Sequence, residues 1–390
     1  MAFMIPPPSS LLLPLHIPQK LLLGPGPSNC SENILKASSF QMLGHLDEDF
    51  LNIMEEVKNG IKYAFQTNNP MTFAVSGTGH CAMEAALCNI LEQRDVLLVA
   101  SSSIWGDRAV EIGRRIGADC YQLSIESGDI LSVNELEKAL NNFLPKAAFF
   151  CHGDSSTGVL QPLDGFAGVL KKNNCLMIVD CVASLGAAPV FMDQLGIDVL
   201  YSGSQKILNA PPGLSPISFS NNAVETIKKR KTKVTSFYMD ALLLGNYWKC
   251  DTEPTVYHHT APISLMYALR EALSILAAEK LENCCRRHQI CAELLYKKLE
   301  QMNLTLYVPN KSHRLPSVTT VKIPPHVDGQ SVIIYLKKRC NIDIAGGLGS
   351  TKGKVWRIGL MGQNCSAKNV ELLSESLQKA IKSSELKSSL

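Results

Sequence analysis

The sequence predicts an α/β protein built on a mainly parallel sheet, and three observations lead there. Short apolar runs bounded by turn residues recur from about residue 50 to residue 220. Segments of helical period separate them, and polar residues follow directly on their carboxyl ends. Runs apolar on both faces are what a sheet covered by crossover helices demands.

Taken in order, MTFAVSG (71–77), DVLLVASSS (95–103), KAAFFCHGD (146–154), CLMIVDCVAS (175–184), IDVLYSG (197–203) and LSPISFS (214–220) read as strands. Between them GHCAMEAALCNILEQ (79–93), GDRAVEIGRRIG (106–117), SVNELEKALNNF (132–143) and GFAGVLKKNN (165–174) read as helices, with Ser132 an N-cap ahead of Glu135. Beyond residue 262 the strand signals stop, and a helical period runs from 264 to 302 as one long helix or two abutting ones. PSVTTVKI, GQSVIIYLKKR, IDIAGG, KVWRIGL and an amphipathic end after Ser366 read as a small α+β unit. The expected division is an extended arm over 1–20, a large domain over 21–280 and a small C-terminal domain over 281–390.

Composition narrows the function classes. A 46% apolar fraction, 19% charged residues and a formal charge of +3 describe an ordinary globular protein without the basic field that nucleic acid requires of a primary partner. The thirteen cysteines are odd in number, follow no framework spacing and in several cases lie inside apolar runs, which favours buried thiols in a reducing compartment. The arm is broken by Pro6, Pro7, Pro8, Pro14 and Pro18 and lacks a basic leader, so neither a secretory nor a transit signal is expected. No apolar segment approaches the roughly 18 residues that span a bilayer. The last three residues, Ser388-Ser389-Leu390, are similar to the S-K-L peroxisomal address.

Ligands of open α/β sheets collect beyond the carboxyl ends of strands, so the polar residues there are the first candidates. Thr78, Gly79 and His80 open a helix with exposed N–H groups and offer an anion a seat. Asp180 closes a strongly apolar run and needs a cationic or N–H partner. Lys206 follows another run, and a lysine there is either salt-bridged or chemically employed. Pyridoxal phosphate would occupy all three, with an aldehyde for the amine, a ring nitrogen for the acid and a phosphate for the helix start.

The segments GPGPSN (24–29), SGTGHCAMEAAL (76–87), HGDSSTGVLQPL (152–163), VDCVASLG (179–186), YSGSQKILNAPPG (201–213), YHHT (257–260) and WRIGLMG (356–362) together resemble the alanine–glyoxylate (serine–pyruvate) aminotransferases. Those enzymes form part of the class V branch of fold type I pyridoxal-phosphate proteins. The resemblance implies a large domain with a mainly parallel seven-stranded sheet, a small C-terminal α+β domain and a homodimer with shared active sites.

It also implies roles. Lys206 is the Schiff-base lysine, Asp180 the partner of the ring nitrogen, and Trp105 and Val182 the stacking residues. Thr78, Gly79, His80 and Gln205 hold the phosphate, joined by Tyr257 and Thr260 from the neighbouring subunit. Ser155 bonds near the ring hydroxyl, Arg357 clamps the substrate carboxylate, and Gly26, Gly44 and His45 lie near the substrate. The implied reaction is ping-pong transfer of the amino group of alanine or serine to glyoxylate, giving pyruvate or hydroxypyruvate and glycine. The implied setting is glyoxylate detoxification and glycine formation in the peroxisome, reached through an import receptor, with cytoplasm or mitochondrion as alternatives.

Other readings compete. A 3-hydroxykynurenine or kynurenine–glyoxylate transaminase of the same branch shares these motifs. Cysteine desulfurases resemble them too, yet place histidine before the lysine where this chain has Gln205. A lyase or a non-catalytic binding protein is more remote, and GPGPSN lacks the G-x-G-x-x-G of a dinucleotide site. Cys284, His288 and Cys291 share a helical face and imitate a zinc site that lacks a fourth ligand, and Lys228–Lys233 reads as a solvated basic run. No metal is expected.

Overall fold

Small polar residues start the helices of this chain. Ser31, Asp47, Ser103, Ser132, Ser220, Asp240 and Asp328 each precede one, and their side chains accept bonds from its first free N–H groups. At Ser132 the cap is reciprocal, as expected: the Glu135 carboxylate accepts from the Ser132 N–H at 2.8 Å.

The computed structural model describes residues 5–101, 103–126, 128–251 and 255–388, the side chains of 385–388 excepted. Ser389 and Leu390 of the terminal tripeptide, and the Ser388 side chain, therefore lie outside the described residues. In chain order come β1 (Leu21–Leu22), α1 (Glu32–Ser38), α2 (Glu48–Phe65), β2 (Thr72–Ser76), α3 (Gly79–Ile90), β3 (Val96–Ala100), α4 (Ile104–Ile116), β4 (Asp119–Gln122), α5 (Val133–Phe143) and β5 (Ala147–Cys151). A hairpin of β6 (Gly153–Asp154) and β7 (Val159–Leu160) leads to α6 (Phe166–Lys172), β8 (Leu176–Asp180), β9 (Val199–Tyr201), β10 (Leu214–Phe219), α7 (Asn221–Lys228) and α8 (Ala241–Tyr247). Then follow α9 (Ile263–Glu279), α10 (Leu281–Gln301), β11 (Val318–Lys322), α11 (Gly329–Arg339), β12 (Ile342–Asp343), β13 (Ala345–Gly346), β14 (Val355–Gly359) and α12 (Ala367–Ser388).

Seven strands form the central sheet in the order β2-β10-β9-β8-β5-β3-β4, and of these β10 alone runs antiparallel to its neighbours. The expected α/β architecture with a mainly parallel seven-stranded sheet is present. Every residue of β5 and β8 is buried. Phe149 and Phe150 lie fully inside the core, and burying each such side chain is worth roughly 1.5–3 kcal/mol.

The periodic stretch after residue 262 is two helices. Lys280 stands between them at φ 70°, outside the right-handed helical region, so α9 ends there and α10 starts anew. Along α10 the core changes: Cys284 packs into the large cluster around the central sheet, whereas Leu295 and Leu299 join a second cluster with Leu23, Trp356 and Leu373. A three-stranded sheet, β11-β14-β13, carries that second cluster, and β1 pairs in parallel with β12 beside it. Leu21–Leu23 are thus fastened to the C-terminal unit before the chain enters the large one. Pro25 and Gly26 cross between them.

The arm ahead of β1 remains open to solvent, with Ile5, Leu11, Leu12, Leu13, Leu15 and Ile17 all exposed. Among the described residues no helix is long and apolar enough to cross a membrane.

Candidate active site

Five strands deliver side chains to one cavity. Thr78, Gly79 and His80 come from beyond β2, Trp105 from beyond β3, Gly153 and Ser155 from beyond β5, Asp180 from the end of β8 with Val182 and Ala183 just beyond it, and Gln205 and Lys206 from beyond β9. The space between them is about 510 Å³, counting its open mouth. It sits at the carboxyl ends of the parallel strands, where such sheets bind ligands.

The acid is held by two donors. One oxygen of Asp180 accepts the Val182 N–H at 2.8 Å and the other the Tyr201 hydroxyl at 2.8 Å. The parallel register of β8 and β9 sets Asp180 directly beside Tyr201. Burial pushes the Asp180 carboxyl up to about 6; the two donors and Lys206 act against that, and nearby Asp154 adds to it.

The amine is also desolvated. Burial pulls Lys206 down to about 8, the Arg357 guanidinium acts in the same direction, and Asp180 opposes both. Its Nζ donates to the carbonyl of Pro25. A short strap tightens this arrangement: Ser28 donates from its hydroxyl to the Lys206 carbonyl at 2.7 Å, and its N–H donates to the Gln205 carbonyl at 3.0 Å.

Gly26 in this strap has φ 100°, and a side chain there would overlap the Lys206 stem. Gly26→Ala is therefore expected to destabilise the chain by about 1–3 kcal/mol and to displace the amine. Denaturant unfolding, with the pH dependence of amine acylation, checks both. An unchanged amine in a stable variant would contradict the packing described.

The helix start behind the cavity is bare. Thr78 occupies the N-cap of α3 without a side-chain cap bond, unlike the seven capped helices above, so the Gly79 and His80 N–H groups face the cavity region unmatched by the protein backbone. Beside them the carboxamide oxygen of Gln205 is buried without a partner. His80 and Trp105 meet edge to face with ring centroids 5.6 Å apart. Burial lowers the His80 pKa, with Arg108 and Lys206 adding to it. These features make a seat for an anion beside the Trp105 ring.

Arg357, on β14, does not line the cavity itself but stands beside it, close enough to act on the Lys206 amine. Its Nε donates to the Gly346 carbonyl at 2.8 Å and one terminal nitrogen to the Ser155 carbonyl at 3.0 Å. Asp154 fixes that loop by accepting from the Ser156 N–H at 2.7 Å and its hydroxyl at 2.6 Å. Beneath it, burial keeps His152 neutral, its pKa lowered to about 4, with its Nδ1 2.8 Å from the Ser184 hydroxyl.

Thr78, Gly79, His80, Trp105, Ser155, Asp180, Val182, Gln205 and Lys206 all line the cavity as the sequence anticipates, with Gly26 against Lys206. Gly44, His45, Tyr257 and Thr260 do not line the cavity of their own chain. They gather on another face, where the His45 and Tyr257 rings lie 5.1 Å apart and Tyr257 and Thr260 point to solvent. Sequence reasoning missed Tyr201, Asp154 and the Pro25 carbonyl. Cys284, His288 and Cys291 form no metal centre: His288 Nδ1 donates to the Cys284 carbonyl at 2.8 Å, and its Nε2 accepts the Gly362 N–H at 3.1 Å. A larger hollow of about 1510 Å³, again counting its open mouth, lies at the amino ends of the strands, but its Lys146 and Asp198 are already paired, to Asp95 and to the Met177 N–H and Ser220 hydroxyl.

The family described as aminotransferase class-V matches residues 32–373. An alanine–glyoxylate aminotransferase of Callithrix jacchus is 50% identical over 97% of this chain and 91% of its own length. The crystal structure of an alanine–glyoxylate aminotransferase from Nostoc sp. superposes with a TM-score of 0.93 at 44% identity, covering 96% of this chain and all of that one. A ureidoglycine–glyoxylate aminotransferase structure from Bacillus subtilis superposes with a TM-score of 0.92 at 32% identity, covering 95% of each chain.

Proposed function

This chain belongs to the class-V aminotransferase family, and from that premise we propose that it transfers the amino group of alanine, or of serine, to glyoxylate with pyridoxal phosphate held at Lys206. The observation that carries this reading is the convergence of a desolvated amine, a buried carboxyl and a bare helix start on one cavity.

The residues fit the cofactor. The unmatched N–H groups of α3 and the orphaned Gln205 amide answer to a phosphate, since the amide's nitrogen and oxygen exchange places by rotation about one bond. Asp180, costly as a buried anion, answers to a protonated ring nitrogen. Trp105 and Val182 supply apolar lining, and Ser155 a hydroxyl. When bound, the cofactor supplies an aldehyde for the Lys206 amine and a ring that accepts the electrons released at the substrate Cα.

The protein's part is binding and proton handling. Asp180 keeps a proton on the ring nitrogen, and the Tyr201 and Val182 donors hold its carboxylate in place for this. Lys206, with its proton affinity lowered towards neutrality, removes the Cα proton of the amino acid and later returns one to the oxo acid. Arg357 presents a planar fork to the α-carboxylate while two carbonyls anchor it. One site serves both half-reactions, so double-reciprocal plots should be parallel.

Arg357→Lys is expected to raise KM for both amino acid and oxo acid about tenfold or more with a smaller change in kcat, because a point charge cannot keep both carbonyls and the carboxylate. Unchanged KM for alanine and glyoxylate would contradict this.

Glyoxylate is named as a reactant of both kinds of relative, whereas their amino donors differ. The acceptor is thus the better supported half of the reaction. Purified protein assayed with glyoxylate against alanine, serine, (S)-ureidoglycine and 3-hydroxykynurenine tests it, and alanine should give the highest kcat/KM. A dominant ureidoglycine or kynurenine activity would replace the proposal.

The assembly we propose is a homodimer with shared sites. Phe40, Met42, Leu46, Phe237, Leu243, Val256 and Tyr257 are all exposed, and this face also carries the Gly44–His45 and Tyr257–Thr260 segments missing from the chain's own cavity. Residence in the peroxisome rests on Ser388-Ser389-Leu390. A fluorescent reporter carrying the last ten residues should enter peroxisomes, and a diffuse signal would remove the assignment.

A further inference from the structure

Loop 255–262 sets its side chains in two directions. Val256, Tyr257 and Thr260 face solvent, while His258 is buried and His259 half-buried. The inward residues are bonded in series. His258 Nε2 lies 3.2 Å from the Phe237 carbonyl, His258 Nδ1 lies 2.8 Å from His259 Nδ1, and His259 Nε2 lies 2.7 Å from the Ser76 hydroxyl.

With both rings neutral, these contacts admit a single proton arrangement. The Phe237 carbonyl can only accept, so His258 carries its proton on Nε2 and accepts at Nδ1. His259 must then donate from Nδ1, and its Nε2 accepts from Ser76. Burial, with His258 beside it, lowers the His259 pKa to about 4, which keeps that ring neutral at ordinary pH. Aromatic packing holds the series in place: the Phe237 ring stacks on His258 at 5.0 Å, and the buried Tyr247 meets His259 edge to face at 5.6 Å.

The anchor of this series is informative. Ser76 ends β2, two residues before Thr78, so the loop is tied to the strand that carries the chain's own anion seat. Tyr257 and Thr260, 3.4 Å apart at their hydroxyls, are thereby held exposed and outside the lining of that seat.

We infer that Ser76, His259 and His258 are positioning residues acting in trans: they hold loop 255–262 so that Tyr257 and Thr260 meet the cofactor phosphate of a second copy of this chain. This rests on the shared-site dimer proposed above. Ser76 stands next to its own seat, yet its loss is felt in the partner's.

Hybrid dimers carrying two affinity tags test this with pyridoxal phosphate as the probe. One subunit carries Lys206→Ala, so the visible absorbance of lysine-bound cofactor reports the other site alone. In the trans arrangement Ser76→Ala lies on the Lys206→Ala subunit; in the cis arrangement it lies on the subunit with the intact lysine. The expected result is a cofactor Kd raised about fivefold in trans, as for the loss of one hydrogen bond, and changed by less than about twofold in cis. His259→Phe, which keeps the ring packing and removes both bonds, should show the same asymmetry at about tenfold. A cis loss equal to or larger than the trans loss, or no loss in either arrangement, overturns the inference. Wild-type protein that sediments as a monomer at assay concentration overturns the dimer reading and this inference together, and is distinguished from the other outcomes by being read first.

Discussion

Lys206→Ala is expected to lower turnover by about a thousandfold or more while the protein stays folded, because the covalent anchor and the proton carrier are lost together. The stability of the cofactor-free protein should move the other way in Lys206→Met, which keeps the apolar stem. Burial first, and Arg357 second, depress the amine from 10.5 to about 8. A depressed amine gives its full stability only above the unfolded value of 10.5 and loses it as pH falls towards 8. At neutral pH the native chain therefore carries a cost of about 3 kcal/mol, which methionine removes. Denaturant unfolding near pH 7 should show the cofactor-free variant at least as stable as wild type, with the advantage fading above pH 8. A variant that is less stable at pH 7 and equally active would contradict the role assigned to the amine.

Asp180→Asn should lower turnover by about 10²–10⁴-fold with the fold intact, because asparagine keeps the shape and cannot hold a proton on the ring nitrogen. Here the sign of the stability effect is that of a raised acid. Burial pushes the carboxyl from 3.8 to about 6, so its stability contribution is whole below 3.8 and is lost as pH rises to 6. Above pH 6 the cofactor-free wild type carries a cost of about 3 kcal/mol that the variant escapes. The two proteins should match in acid and diverge between pH 4 and 6. Near wild-type turnover in Asp180→Asn would refute the assignment, and so would a wild type that gains stability over that interval relative to the variant. Both residues give up stability in the empty chain for chemistry in the loaded one.

How much of this could be read from the sequence depended on burial. β5 and β8 lie buried along their whole length, so they stand out as apolar runs. β4, the edge strand Asp119–Gln122, is mostly exposed and polar and gives no such signal. The break at Lys280 is hidden because the apolar period continues through it, and only the backbone turn separates α9 from α10. Site residues at strand ends or soon after them, such as Asp180, Gln205 and Lys206, were legible because polarity closing or following an apolar run is conspicuous. Tyr201 was not: it reads as one more strand residue until the register of β8 against β9 sets it beside Asp180. The Pro25 carbonyl was invisible for another reason, since backbone atoms leave no trace in residue type and the strap is 181 positions from Lys206.

Borohydride reduction of the pyridoxal-phosphate-loaded protein, followed by mass mapping of its peptides, tests the central claim most directly. The expected result is a phosphopyridoxyl group on Lys206 and its loss from that peptide in Lys206→Ala. The same group on a different lysine of the wild type, or on none, would contradict it.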